Sequence, residues 1–348
     1  MKRLLPLLAL AACGPAAVSE VPCLALGVPE GQALSTSAPS KVSVLFTAQT
    51  CNGAPLTNVS TDQLTLEEDN HPLSAFESHR VLTPRAEASQ VNSLLLLDLS
   101  GSILESGAFD AMANAASAYI DAVTAEGGQR MALATFDGRA DPQVLTPFTA
   151  DRVALQAGLA SLRQRQCNTN RDCPRDVNAG TCAGWRCVDE STDLNGAVLS
   201  GLAMLDEANA RASGVPYRDS ALVLFTDGAD QAGRVSSGKA LQAVRGNAAH
   251  VFTVAFGPEA DQQTLGLLGK SGAFQAKDSA QLLTAFDHIA DSVRALANRY
   301  YQLEYCSPKR GGTHTLTVRL KIPTPLGAQE GTLTRAFDAT GFTSGCEL

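Results

Sequence analysis

Aromatic side chains are scarce in this 348-residue chain, at 5% of the total, and Trp185 is the lone tryptophan. No apolar run reaches 18 residues, so no membrane-spanning helix is expected. Positive charge is in deficit, with 27 Lys and Arg against 35 Asp and Glu and a net charge of -8. That balance excludes the concentrated basic surface that nucleic acid requires, so no nucleic-acid partner is expected. The five histidines (His71, His79, His250, His288, His314) are scattered, and no two stand four apart as a helical metal pair would. No G-x-S-x-G nucleophile turn occurs. Gly269-Lys270-Ser271 has Thr264 where a phosphate loop needs its first glycine. With no nucleophile and activating base in view, the chain is read as a non-enzyme.

What is present begins at the N-terminus. Lys2 and Arg3 form a short basic segment, Leu4 to Ala12 are apolar, and small residues lead into Cys13. This is the layout of an export signal, too short to span a bilayer. Leu10-Ala11-Ala12-Cys13 resembles the lipobox of bacterial lipoproteins. The resemblance implies removal of residues 1–12 and acylation of Cys13, with the membrane contacted through lipid alone. Each buried methylene of such an anchor adds about 0.8 kcal/mol. Gly14, rather than an aspartate, follows the cysteine, and by the enterobacterial sorting rule the lipoprotein resemblance then implies the outer membrane of a cell envelope. An ordinary signal peptide and an apolar first strand are the alternatives. Setting Cys13 aside leaves eight cysteines, Cys23, Cys51, Cys167, Cys173, Cys182, Cys187, Cys306 and Cys346, an even set as expected for disulfides in an oxidising compartment.

Residues 13–40 are rich in Ala, Pro, Ser and Gly and read as lipid anchor and tether. From Lys41 apolar and polar residues alternate (Val42, Val44, Phe46; later Leu64, Leu66), the pattern of half-buried strands. From residue 91 to 300 the texture becomes strand–helix–strand. Leu94–Leu97 are continuously apolar, as a strand buried on both faces must be. Met131–Phe136, Ala221–Phe225 and Val251–Phe256 read as further buried strands. Phe109, Met112, Ala116, Tyr119, Ile120 and Val123 fall at helical spacing, as do Leu194 to Leu205, and Leu282 to Leu296 within a last helix running to Tyr300. Such alternation implies an α/β fold with a doubly wound, mostly parallel sheet. Beyond Tyr300 strand texture returns (Leu316, Val318, Leu320). Neither β flank has enough strands to stand alone. Residues 41–90 and 301–348 are therefore expected to form one small β-sandwich-like domain, with two separate units as the alternative. Cys23 with Cys51, and Cys306 with Cys346, are candidate staples for its two halves.

Asp98-Leu99-Ser100-Gly101-Ser102 follows directly on the buried run, at the carboxyl end of a strand, where open α/β sheets bind ligands. One carboxylate and two hydroxyls on a tight loop are hard donors suited to Mg²⁺, Ca²⁺ or Mn²⁺. Phe225-Thr226-Asp227-Gly228 ends another buried strand with a second carboxylate, and Ser191-Thr192-Asp193 opens a helix. Together, and in this order, the three segments resemble the metal-ion-dependent adhesion site of the von Willebrand factor A family, over residues 91–300. The resemblance implies that Asp98, Ser100, Ser102, Thr192 and Asp227 hold one divalent cation, Mg²⁺ first among the candidates, with the two aspartates acting partly through water. It further implies a protein ligand whose carboxylate completes the metal shell, and a Rossmann-like fold. Capping of strand–helix turns is the plainer explanation for scattered Ser, Thr and Asp; it does not require five oxygen-bearing residues in this arrangement.

One feature departs from that family pattern. Between residues 165 and 190 lies a cysteine-rich insert, spaced C-x5-C-x8-C-x4-C. Zinc sites favour shorter pairs, so two disulfides are expected, in any of three pairings. Its position just before Thr192 hangs it over the metal face. Trp185 is a candidate partner contact there, and packing over its own disulfides is the alternative. The expected function is that of an envelope lipoprotein binding an acidic protein ligand through metal. The alternative is a structural or assembly component whose metal site is unused, and a hydrolase is the remotest reading.

Overall fold

The computed structural model describes residues 23–28, 34–51, 53, 55–85, 89–105, 107–125, 129–174, 180–212, 217–324, 327–346 and 348. The export signal and Cys13 lie outside the described residues. No helix among those described is long and apolar enough to cross a membrane.

The described residues begin with six strands: β1 (Leu24–Gly27), β2 (Ser35–Ser37), β3 (Lys41–Thr50), β4 (Leu64–Glu68), β5 (His71–Pro72) and β6 (Val81–Pro84). The tether expected over 13–40 therefore stops short. β1 and β2 both pair antiparallel with β3, Leu24 is buried, and a Cys23–Cys51 disulfide pins the start of β1. Runs of four and three residues are too short to show alternation, which is why composition alone marked them as linker.

Then come β7 (Ser89–Asp98), α1 (Gly101–Glu105), α2 (Ala108–Val123), β8 (Gln129–Phe136), β9 (Gln143–Thr149) and α3 (Arg152–Ser161). A small hairpin, β10 (Thr181–Ala183) and β11 (Arg186–Val188), precedes α4 (Leu194–Arg211) and β12 (Tyr217–Thr226). α5 (Ser237–Gly246), β13 (His250–Phe256), α6 (Gln262–Leu268), β14 (Gly272–Ala276) and α7 (Ser279–Ala297) complete the α/β region. The chain ends with β15 (Tyr300–Cys306), β16 (Thr313–Thr324) and β17 (Gly327–Asp338). The last helix stops at Ala297, and Tyr300 already belongs to a strand.

The central sheet has the order β14-β13-β12-β7-β8-β9. Its first five strands are parallel and β9 closes one edge antiparallel. Successive residues of a strand face opposite sides. Leu95 and Leu97 accordingly join the core beneath α2, α3 and α7, and Leu94 and Leu96 the core beneath α4, α5 and α6. All four are fully buried, the physical reason for an uninterrupted apolar run. Side-chain caps start the helices: Asp151, Asp193, Ser236, Asp261 and Asp278 each accept a first-turn backbone N–H.

The flanking strands form two further sheets. In one, β3 lies between β1 and β15, with Val44 opposite Leu303; in the other, β4 pairs with β16, with Leu66 opposite Val318. Val42, Val44, Phe46, Leu64, Leu66, Tyr301, Leu303, Tyr305, Leu316, Val318 and Leu320 share one core. Strands from before and after the α/β region thus bury one another's apolar faces. A Cys306–Cys346 disulfide ties β15 to the C-terminal tail. Where the α/β region joins these sheets, the Arg299 guanidinium pairs with Asp219 at the start of β12 and donates to Gln49 Oε1 on β3 at 2.7 Å. Tyr300 donates its hydroxyl to Asp219 Oδ2 at 2.7 Å and stacks on Tyr217, ring centroids 4.7 Å apart.

Candidate metal centre

The site is built at the carboxyl ends of β7 and β12, which lie side by side with Leu97 opposite Phe225. Asp98, the last residue of β7, is fully buried. Its Oδ1 accepts the Ser100 backbone N–H at 2.8 Å and its Oδ2 accepts the Thr226 hydroxyl at 2.6 Å. Ser100 Oγ lies 3.3 Å from Ser102 Oγ, which donates to Asp227 Oδ1 at 2.7 Å. One polar chain therefore runs Asp98–Ser100–Ser102–Asp227 across the sheet rim.

Thr192 enters from the third segment and is buried. Its carbonyl accepts the backbone N–H groups of Gln231 and Ala232, at 2.8 and 3.0 Å, which stitches it to the loop carrying Asp227. Its hydroxyl oxygen would stand 3.8 Å from a Cβ placed on Gly228. The structure thus gathers all five sequence-assigned residues at one rim.

Burial pushes the Asp98 carboxyl up to about 7; the bonds from Thr226 and Ser100 oppose the rise and the charge of Asp227 adds to it. Asp227 is raised for the same reason, burial, with the nearby charge of Glu259 contributing. Two carboxylates held this way, with hydroxyls between them, form a donor set of hard oxygens, and placing a cation among them would relieve both carboxylates of their repulsion and desolvation. The residues present fit a divalent cation. No thiolate stands among them, since the insert cysteines are paired.

The sequence reading missed several supports. Thr226 fixes Asp98, and only its place one residue before Asp227 could have flagged it. The end of β8 carries a platform: Leu99 N–H donates to Phe136 O, and Asp193 N–H to Asp137 O, at 2.8 and 3.0 Å. A Cβ on Gly138 would lie 1.9 Å from Ser191 Oγ, itself held by Asp189 at 2.7 Å, so a side chain there would have to displace that pair.

In the insert the bonds are Cys167–Cys182 and Cys173–Cys187. Its hairpin packs on the metal loop: a Cβ on Gly184 would lie 3.1 Å from Leu104 Cβ on α1, and Gly101 N–H donates to Glu190 O at 3.1 Å. Buried Arg186 anchors the other side, donating to Ser161 O and Leu162 O at 3.3 and 3.1 Å. Trp185 is 54% exposed, with the Arg165 guanidinium 3.8 Å from its ring centroid.

Residues 93–229 match the family model of the von Willebrand factor type A domain. The chain carries a von Willebrand factor A domain. No curated protein matches the sequence. Among solved structures, a von Willebrand factor type A protein from Catenulispora acidiphila is similar at 13% identity and a TM-score of 0.46, over 90% of this chain and 73% of that one. The corresponding domain of the type V pili tip protein Mfa5 from Porphyromonas gingivalis is similar at 13% identity and a TM-score of 0.43, over 60% of this chain and 97% of that one. Proximal thread matrix protein 1 of the mussel byssus, with a zinc-occupied adhesion motif, is similar at 16% identity and a TM-score of 0.43, over 59% of this chain and 48% of its own. The A domain's matched segment contains all five candidate ligands and the whole insert.

Proposed function

We propose that this chain is a lipid-anchored protein of the cell envelope that binds a protein ligand through a divalent cation held by Asp98, Ser100, Ser102, Thr192 and Asp227, and that it is not an enzyme. The observation that carries the reading is the Asp98–Ser100–Ser102–Asp227 chain of oxygens, with Thr192 stitched beside it. Three segments far apart in sequence supply these groups at one sheet rim. Hard oxygen donors and two carboxylates suit Mg²⁺ best, with Ca²⁺ or Mn²⁺ as alternatives. When bound, the cation supplies an open coordination position that an incoming carboxylate fills.

The protein's own residues set the terms of that exchange. Ser100 N–H and the Thr226 hydroxyl orient Asp98, so its lone pairs are aimed before any ion arrives. Ser102 and Asp227 hold each other in place. The groups at the rim are hydroxyls and carboxylates with no histidine among them to activate a nucleophile, which favours binding over hydrolysis. Anchoring at Cys13 on the outer membrane, after loss of residues 1–12, places this rim outside the cytoplasm. Four disulfides among the described residues agree with such a compartment.

The test is thermal melting of the purified full chain in detergent, with Mg²⁺ and with chelator. Mg²⁺ at a hundredfold excess over its dissociation constant should add about 2.7 kcal/mol of stability by mass action. Asp98→Ala should abolish that rise. An unchanged midpoint in wild-type protein would instead favour a structural component that does not use metal.

A further inference from the structure

Thr192 reaches the metal rim at the exit of the insert. The stretch Asp189–Asp193 carries the chain from β11 to the start of α4. One residue, Asp137, holds both ends of it. Asp137 Oδ2 accepts the Asp189 backbone N–H at 3.2 Å, and Asp137 O accepts the Asp193 N–H at 3.0 Å. Between these anchors, Asp189 Oδ1 accepts the Ser191 N–H at 3.0 Å and the Ser191 hydroxyl at 2.7 Å. Glu190 O accepts the N–H of Gly101, which stands between the two metal-loop serines. The neighbours of Asp137 hold the other metal segments. Phe136 O accepts the Leu99 N–H from the metal loop, and Gly138 O accepts Arg234 Nε, at 2.9 Å, from the loop that begins at Asp227. All three ligand-bearing segments are therefore registered on residues 136–138.

Asp137 is buried, and a carboxylate at that depth must have its charge answered. Arg139 does so, with Nε 2.9 Å from both carboxylate oxygens and Nη2 2.7 Å from Oδ2, while its backbone N–H donates to Oδ1 at 2.9 Å. The pair is neutral as a unit, so it adds little to the field at the metal site. What it supplies is position. The Arg139 bonds are local and would suffice to hold the turn after β8. The bond from Asp189 crosses 52 residues and is the one that reaches the insert. An amide could not replace the carboxylate, because its N–H groups would face donors.

We propose that Asp137 is a positioning residue for the cation: it clamps the exit of the insert at both ends, fixes Thr192 against the metal loop, and so lets the disulfide-bonded insert set the affinity of the site. This rests on the metal-dependent reading above and adds a control that the insert exerts on it. The path is short. Cys187, bonded to Cys173, lies two residues before Asp189, and buried Arg186 ties the same strand to the end of α3. Loosening the insert loosens the Asp189 anchor, and Thr192 with it. Linkage makes the effect reciprocal, so a bound cation must hold the insert closed by the same factor.

The experiment is calorimetric titration of Mg²⁺ into the detergent-solubilised full chain, well below the melting temperature of every variant, with metal-free melting measured beside it. Asp137→Asn combined with Arg139→Gln leaves the net charge unchanged and removes the clamp. It should weaken the Mg²⁺ dissociation constant about tenfold or more, the usual cost of losing a group that orients a metal ligand. Asp189→Ala keeps the Asp137–Arg139 pair but frees Ser191, and Cys173→Ser with Cys187→Ser opens the insert; both should shift the constant in the same direction. In wild-type protein, saturating Mg²⁺ should slow proteolysis within residues 167–187, and the Asp137 variant should lose that protection. A merely structural Asp137 would lower metal-free melting and leave the Mg²⁺ constant unmoved. That result overturns the inference while the metal-dependent reading stands. Should the Asp137 variant fail to fold, wild-type affinity in both the Asp189 and the cysteine variants would overturn it equally. No Mg²⁺ binding by wild-type protein would sink the underlying reading first.

Discussion

Ser102 Oγ donates a 2.7 Å hydrogen bond to Asp227 Oδ1, joining two residues 125 apart in sequence. Ser102 is exposed, so the bond contributes little to holding the fold. Its value lies in aiming two oxygens at one point. Ser102→Ala should therefore cost about 1 kcal/mol or less in urea unfolding, while the stabilisation by Mg²⁺ disappears in parallel melting curves. A full Mg²⁺ response in this variant would remove Ser102 from the metal site.

The buried Asp98 carboxyl, raised to about 7, makes both stability and metal response depend on pH. Without metal, the folded protein keeps a proton on Asp98 up to about pH 7, whereas the unfolded chain releases it near 3.8. The folded state then binds more protons between those values, so this residue's contribution to stability falls as pH rises through that window. A cation needs the ionised carboxylate. The Mg²⁺-induced rise in melting temperature should shrink as pH is lowered below about 7. Asp98→Asn should flatten the metal-free stability profile between pH 4 and 7, as read by melting at a series of pH values, and a profile identical to wild type would contradict the assignment.

Asp219 carries the junction between the A domain and the β sheets, since it is partner to both Arg299 and Tyr300. Both side chains of the ion pair are largely buried, at 13% and 10% exposure. Removing one member leaves an uncompensated charge and an orphaned hydroxyl, so Asp219→Ala should destabilise by about 3–5 kcal/mol. Chemical denaturation measures this, and a loss under about 1 kcal/mol would show that the junction is solvated.

The insert's disulfides close loops of 15 and 14 residues. Each restricts the unfolded insert by about 3 kcal/mol. Few of its residues are buried, so little else holds it. Replacing Cys173 and Cys187 together by Ser should open residues 167–187 to limited proteolysis, with cleavage mapped there by mass spectrometry while the central sheet stays intact. Equal protease resistance would mean that Arg186 and Leu104 alone suffice to dock the hairpin.

The fold class was legible because the parallel strands are buried on both faces: Leu94–Leu97 serve two cores and have no polar side to show. β9 was not legible. Its one buried residue is Thr146, so no apolar alternation marks it. The D-x-S-x-S loop and Asp227 could be read because each ends an apolar run. Thr226 could not, since its bond to Asp98 crosses 128 residues and becomes visible only when β7 and β12 are adjacent. Gly138 escaped for the same reason: its lack of a side chain matters only once Ser191 arrives from the far side of the insert. The disulfide pairing within the insert was one of three by spacing, and only the hairpin register, which sets Cys182 opposite Cys187, turns each toward a different partner.

The pairing of β3 with β15 also spans the whole A domain in sequence. Lys41 and Glu304, joined by a 3.1 Å ion pair, are 263 residues apart. Closing so long a loop in an unstructured chain is slow, because non-local contacts must wait on loop closure. Once the A domain has condensed, Arg299 sits against Asp219 and the strand after it starts beside Gln49, so the remote partners become neighbours. β3 and β4 therefore gain β15 and β16 as neighbours only across the whole A domain, so the half of the molecule that carries the oxygens is also the clasp that brings the other half together.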